Sequence, residues 1–254
     1  MNQQPVLNPI QAPGTPLAQW QTCGLLQATP AIRHEQLLPP GCRLVVVAPH
    51  PDDEILGCGG ILAGMAGRET EVLLVSVSDG EASHPNSTHW NPGRLRQQRP
   101  RESAEALRRL GLHLPQLSWL RLGLADSAVA SRERWLGDHL RTLLQPGDRV
   151  LSTWRQDGHC DHEAVGRACA QACRISAAEL IEVPIWAWHW AHPNDPRLPW
   201  QRARKLFLPR DVLARKQHAI AAHASQVQAD GKTPPVLEHE ALARLLQPFE
   251  LVFI

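Results

Sequence analysis

Two kinds of apolar pattern alternate along the first two thirds of the chain. The runs Leu44-Val45-Val46-Val47-Ala48 and Val72-Leu73-Leu74-Val75-Ser76-Val77 are continuous and β-branched, which suits strands buried on both faces of a parallel sheet. Residues 54–67 between them have helical composition, and strand, helix, strand at this spacing is a βαβ unit. The alternation predicts a helix over 99–110 closed by Gly111, a strand over 117–122, a helix over 131–144 ended by Pro146-Gly147, a buried strand over 148–153 and a helix over 161–173. Beyond these it predicts a strand over 181–190, a helix over 211–224 and a short final strand over 249–254. No internal repeat or domain-sized shift in composition interrupts the pattern. The expected fold is one α/β domain over residues 41–254, a Rossmann-like, mostly parallel sheet flanked by helices. Seven of the 22 prolines fall in residues 1–40, which carry no sustained apolar period, so this segment is expected as a proline-rich, irregular N-terminal arm.

Composition narrows the function classes. Basic and acidic side chains number 26 and 25, for a net charge of +1 with no long run of either sign, which argues against nucleic acid or an anionic membrane surface as partner. The N-terminus lacks the basic start and apolar stretch of an export signal, and no segment approaches the roughly 20 apolar residues of a membrane span. A cytoplasmic protein without integral membrane contact is expected, and a homo-oligomer is compatible with the sequence. Six cysteines are too sparse for a disulfide scaffold. Cys169 and Cys173, four apart on a predicted helix, read as half-buried thiols.

In an open parallel sheet, reactive groups collect just beyond the carboxyl ends of the strands. Two segments stand there: Ala48-Pro49-His50-Pro51-Asp52-Asp53-Glu54 and Asp157-Gly158-His159-Cys160-Asp161-His162-Glu163. If their strands are central, the two loops face each other across one crevice. Together they offer three imidazoles and several carboxylates, the nitrogen and oxygen set that suits zinc or a similar divalent ion. Consecutive Asp52 and Asp53 are hard to explain as packing, because adjacent like charges repel unless a cation or donors compensate them.

The segment APHPDDE after an apolar strand, with GHCDH downstream, resembles the LmbE-like or PIG-L family of zinc-dependent de-N-acetylases, which remove acetyl groups from N-acetylglucosamine-containing substrates. Ser78-Asp79-Gly80-Glu81, Arg99-Pro100-Arg101-Glu102 leading to Leu110-Gly111, and Lys216 through His223-Ala224-Ser225-Gln226 look like that family's secondary motifs in the expected order. The resemblance covers roughly residues 43–254 and implies a three-layer fold with one zinc, or another divalent ion, per chain. It implies His50, Asp53 and His162 as metal ligands, Asp52 as general base toward the attacking water, and His159 as the group assisting the oxyanion and the leaving amine. Asp161 could keep His159 protonated, or it could cap the following helix. Arg99 is expected on the substrate side. Cys160 replaces the proline or other residue often found between His and Asp and places a thiol near the metal.

Other chemistries fit less well. Gly57, Gly59 and Gly60 suggest a dinucleotide loop, but Leu62 holds the third glycine position. No GxSxG is present, and neither His34-Glu35 nor His239-Glu240 is followed by a second histidine at zincin spacing. Cys58 or Cys160 as a nucleophile would need a partner histidine. Lys216 and His223, seven apart on one helical face, read by themselves as a solvated edge. Two alternatives to amide hydrolysis of an amino sugar remain: a metal-dependent phosphoesterase holding two ions, and a non-catalytic sugar-binding module. Trp186, Trp188 and Trp190 alternate on a predicted strand and share one face, either as a core ladder or with Trp188 at the crevice rim, stacking on a sugar ring.

Overall fold

The structure, a computed structural model, describes residues 14–254. Three short helices, α1 (Leu17–Gln21), α2 (Gly24–Ala28) and α3 (His34–Leu37), precede strand β1 (Leu44–Ala48). Helices α4 (Asp53–Leu56) and α5 (Gly59–Ala63) lead to β2 (Val72–Ser78), and α6 (Pro92–Leu110) leads to β3 (Ser118–Leu124). Then follow α7 (Glu133–Leu143), β4 (Arg149–Thr153), α8 (Cys160–Ser176), β5 (Glu179–Val183) and the single turn α9 (Ala187–Trp190). The chain closes through β6 (Ala203–Phe207), α10 (Arg210–Ile220), α11 (Ala224–Val227), α12 (His239–Leu245) and β7 (Phe249–Phe253).

The strands form one sheet in the order β3-β2-β1-β4-β5-β7-β6. β1 to β5 are parallel, and β7 runs antiparallel between β5 and β6. Alternation along β1 divides the core in two. Val45 and Val47 join Val75, Val77 and Val150 under α7 and α8, whereas Leu44 and Val46 face Ile55, Ile61, Leu107 and Ala219 on the other side. The sheet is thus covered on both faces, which is why β1, β2 and β4 can be continuously apolar. The order reverses between β1 and β4, and the crevice beyond that switch point is where the two histidine-bearing loops emerge.

Several elements differ from the sequence expectation. The helix expected over 54–67 is broken at Gly57–Cys58, because the buried Glu250 carboxylate accepts from the N–H groups of Gly60 (2.6 Å) and Ile61 (2.8 Å) and starts α5 afresh. α6 begins at Pro92, not residue 99; Asn91 caps it by accepting from Arg94 N–H at 3.0 Å, and Pro100 lies in mid-helix. β6 is an added strand whose Arg204 and Lys205 hide it from an apolar-run reading. In place of an irregular arm, the described part of residues 1–40 forms α1 to α3, with Trp20, Leu26, Leu37 and Leu38 buried. Ile32 N–H donates to Lys205 O and Lys205 N–H to Pro30 O, both at 2.9 Å, so this segment covers the free edge of β6. Residues 1–13 of the arm lie outside the described residues.

Lys216 is not on a solvated edge. Its Nζ lies 2.7 Å from Glu250 Oε1, and both side chains are 1% exposed. Removing one partner of such a pair strands a buried charge, so Glu250→Ala is expected to cost about 3–5 kcal/mol of folding free energy. Urea unfolding of the variant measures it; a loss below about 1 kcal/mol would show the pair to be dispensable.

Candidate metal centre and active site

The turn after β1 has unusual backbone. Asp52 takes φ 153° and ψ −27°, a region that residues with a Cβ rarely adopt. Its N–H is held by Glu54 Oε2 at 3.0 Å and His50 O at 3.1 Å. This turn delivers His50, Asp52 and Asp53, all buried, to the crevice. Opposite, α8 begins where His159 Nδ1 accepts from Asp161 N–H at 3.2 Å. Gly166 lets α8 press onto the end of β4, since a Cβ there would lie 2.7 Å from Thr153 O. That contact sets the depth of His162.

The two loops converge on one oxygen. Asp53 Oδ2 lies 3.1 Å from His50 Nδ1 and 3.3 Å from His162 Nε2. His162 Nδ1 is 2.8 Å from Asp157 Oδ2, and because a carboxylate only accepts, the ring's N–H belongs on Nδ1. Nε2 is then the nitrogen left for a cation, facing a carboxylate; it is buried and has no hydrogen-bond partner among the described residues. A cation shared by these atoms would satisfy both, so the donor set fits a divalent ion with nitrogen and oxygen ligands. On its other side, His50 Nε2 is 3.2 Å from both Asp161 Oδ2 and Asp126 Oδ1. His50, His159 and His162 also lie close enough together to share an ion, as do His50, Asp126 and Asp161.

Electrostatics separate the roles. Burial raises the Asp52 carboxyl to about 6 although the Arg99 guanidinium, 3.0 Å away, opposes it. Burial, reinforced by the neighbouring charged imidazoles, holds His159 down at about 3. With Nδ1 accepting from a backbone N–H, neutral His159 carries its proton on Nε2 and can donate it to an oxyanion. Burial works against the charged form of His162 too, but the Asp53 and Asp157 carboxylates outweigh it and push that ring up to about 9. Hydrogen bonds to Asp126, Asp161 and Asp53 likewise overcome burial and hold His50 well above its ordinary value.

Two expectations are corrected here, those for Asp161 and Trp188. Asp161 neither caps α8 nor keeps His159 protonated: its oxygens accept from the N–H groups of Ser127 (2.7 Å) and Val129 (3.1 Å), and Oδ2 faces His50. Arg99 lines the cavity, and its guanidinium donates to Gly80 O, Pro51 O and Asp52 Oδ2, so it also fixes the position of Asp52. Trp188 is 6% exposed, packed edge-on against Trp20 at 5.0 Å, and does not reach the cavity. The reason is that the chain leaves β5 at Val183 and turns helical, where positions two apart point to nearly opposite sides. Trp186 lines the cavity instead. Cys160 opens α8 as an exposed thiol beside the site, outside the cavity lining.

Asp126 and Asp157 are site residues to which the sequence pattern assigns no role. Asp126 stands just past the carboxyl end of β3, the same signal that marked the other two loops. The cavity over these groups has a volume of about 820 Å³ and reaches from His50 and His162 past Trp186 to Glu240 and Arg244.

Residues 45–173 match the PIG-L family, described as GlcNAc-PI de-N-acetylase. The chain belongs to the PIG-L family. It is 31% identical over 255 residues to the 1D-myo-inositol 2-acetamido-2-deoxy-alpha-D-glucopyranoside deacetylase of Corynebacterium efficiens, covering 81% of this chain and 79% of that one. The Corynebacterium urealyticum protein of the same name is 29% identical over 244 residues, covering 74% and 72%. Among solved structures, a deacetylase of the teicoplanin biosynthetic pathway superposes with a TM-score of 0.63 over 83% of this chain and 96% of that one, at 20% identity, which speaks for the fold.

The secondary motifs of this PIG-L chain pack together beside Asp52. Gly80, at φ 67°, leaves room for the Arg99 guanidinium that a Cβ would strike. Glu102 accepts from Ser225 N–H (2.9 Å) and Oγ (2.6 Å), joining α6 to α11, and Gln226 lines the cavity. His223 is fully buried, and its ring nitrogens have no hydrogen-bond partner among the described residues. No described helix is long and apolar enough to cross a membrane.

The raised imidazoles make a prediction. An ion entering the site must displace protons from His162, at about 9, and from His50, so apparent metal affinity should rise with pH through the neutral range. Chelator competition at pH 6, 7 and 8 should show about a tenfold gain per unit for each proton displaced. A flat profile would contradict the geometry.

Proposed function

We propose that the protein is a metal-dependent de-N-acetylase that hydrolyses the acetamide of an N-acetylated amino sugar or sugar conjugate, with one zinc held by His50, Asp53 and His162. The observation that carries this is the meeting of His50 Nδ1 and His162 Nε2 at Asp53 Oδ2, with His162 Nε2 buried and without a hydrogen-bond partner among the described residues, directly beside Asp52. When bound, the ion supplies Lewis acidity at the amide carbonyl and toward water. Asp52, held by Arg99, takes a proton from the attacking water as its oxygen bonds to the carbonyl carbon, then returns it to the nitrogen as the C–N bond breaks. His159 donates from Nε2 to the developing oxyanion. Acetate and a free amine leave. Two features support a single ion: the His50–Asp126–Asp161 group shares His50 with the first, and an imidazole that ligates through Nδ1 keeps a proton on Nε2 for those carboxylates.

The test is a screen of zinc-loaded protein against N-acyl amino sugars, their inositol conjugates and phosphate monoesters, reading free amine, carboxylate and phosphate. Equimolar amine and acetate are expected. Phosphate release without amine would replace this function with a phosphoesterase.

A further inference from the structure

We propose that Asp157 is a positioning residue, one buried carboxylate that registers the metal ligand His162 against the loop forming the substrate wall; this rests on the metal site proposed above. Asp157 is 0% exposed. Its Oδ1 accepts from Ile185 N–H and Ala187 N–H, both at 2.9 Å, and its Oδ2 from Trp186 N–H at 2.9 Å and His162 Nδ1 at 2.8 Å. Its main-chain oxygen takes a fifth donor, Trp190 Nε1, at 2.7 Å. An ionised carboxylate offers about four lone-pair sites, so four donors fill it.

Two consequences follow from that one group. Asp157 holds the Nδ1 proton of His162, so Nε2, facing Asp53, is the nitrogen that would give up its proton and ligate a bound ion. The three successive N–H groups turn the chain out of β5 and into α9, and this fold of the loop sets Ile185 and Trp186 in the cavity wall. Ligand orientation and wall position therefore depend on the same side chain.

Asparagine is nearly isosteric but has one acceptor and one donor group, so it cannot serve both halves. With its oxygen in the Oδ1 position, the NH2 group meets Trp186 N–H and His162 Nδ1. His162 must then accept at Nδ1 and carry its proton on Nε2, where it donates to Asp53 and no longer ligates. With the amide reversed, the NH2 group meets the N–H groups of Ile185 and Ala187, and the wall is displaced. Either orientation breaks one half of the clamp.

The experiment uses wild-type protein and Asp157→Asn, both stripped of metal, with zinc affinity measured by competition with a chromophoric chelator. KM for 1D-myo-inositol 2-acetamido-2-deoxy-alpha-D-glucopyranoside is then measured at saturating zinc. Zinc affinity should fall by about 10- to 100-fold, or, with the amide reversed, zinc should be retained and KM rise at least about tenfold. A long-range ¹H–¹⁵N spectrum of zinc-loaded wild type needs no variant and should place the His162 proton on Nδ1. Unchanged zinc affinity together with unchanged KM, or a His162 proton on Nε2, overturns the role of Asp157 while leaving the metal site standing. Wild-type protein that takes up no zinc overturns the metal site and this inference with it.

Discussion

Alanine in place of His50, Asp53 or His162 is expected to give a folded protein that no longer retains zinc and whose turnover falls by roughly a thousandfold or more. Each substitution removes one of the three donor atoms His50 Nδ1, Asp53 Oδ2 and His162 Nε2, and two remaining ligands make a poor zinc site. The lost Lewis acidity is worth several kcal/mol in the transition state, at about 1.4 kcal/mol for each factor of ten. Elemental analysis and circular dichroism of the three variants check this together. Full zinc content in all three would remove the ligand assignment, and zinc lost from His159→Ala instead would exchange His159 for His162.

Asp52→Asn should keep both the metal and the fold while lowering turnover by roughly a hundredfold or more, because the amide can still accept from Arg99 at the place of Oδ2 but cannot take a proton from water. The contrast with the ligand variants is the point: one class loses zinc, the other keeps it. His159→Ala should resemble Asp52→Asn, with the loss in kcat, since a donor to the oxyanion acts more strongly in the transition state than on bound substrate. Single-turnover kinetics on zinc-saturated protein, with KM and kcat separated, decides it. Wild-type turnover by Asp52→Asn would require another base, and Glu54, which burial pushes up to about 7 and which accepts from Asp52 N–H, would be the group to examine.

Much of this architecture is legible in the chain because physics writes it locally. β1, β2 and β4 sit in the middle of a sheet covered on both faces, so they must be apolar at every position, and an uninterrupted run of Val and Leu has few other uses. The two loops that carry the chemistry are legible by the same route, since each lies just beyond the carboxyl end of such a strand. What escaped depends on distant partners. β6 carries Arg204 and Lys205, and its free edge is finished by a backbone segment some 170 residues away in sequence. α5 starts where it does because Glu250, on β7, reaches its first amides. Trp186, Trp188 and Trp190 look like a strand face only while the Asp157 carboxylate, which winds that stretch into α9, is left out of account. Asp126 offered a fair signal, a carboxylate past a strand end, but nothing local says that β3 leans its loop across β2 to His50.

The most direct test of the central claim is acetate release from the N-acetylated amino sugar that the screen identifies, by one preparation assayed as zinc-loaded, chelator-stripped and re-loaded protein. Acetate and free amine should appear in equal amounts with the first sample, vanish with the second and return with the third. Equal rates in the loaded and stripped samples, with zinc absent from the stripped one, would contradict a metal-dependent deacetylase built on His50, Asp53 and His162.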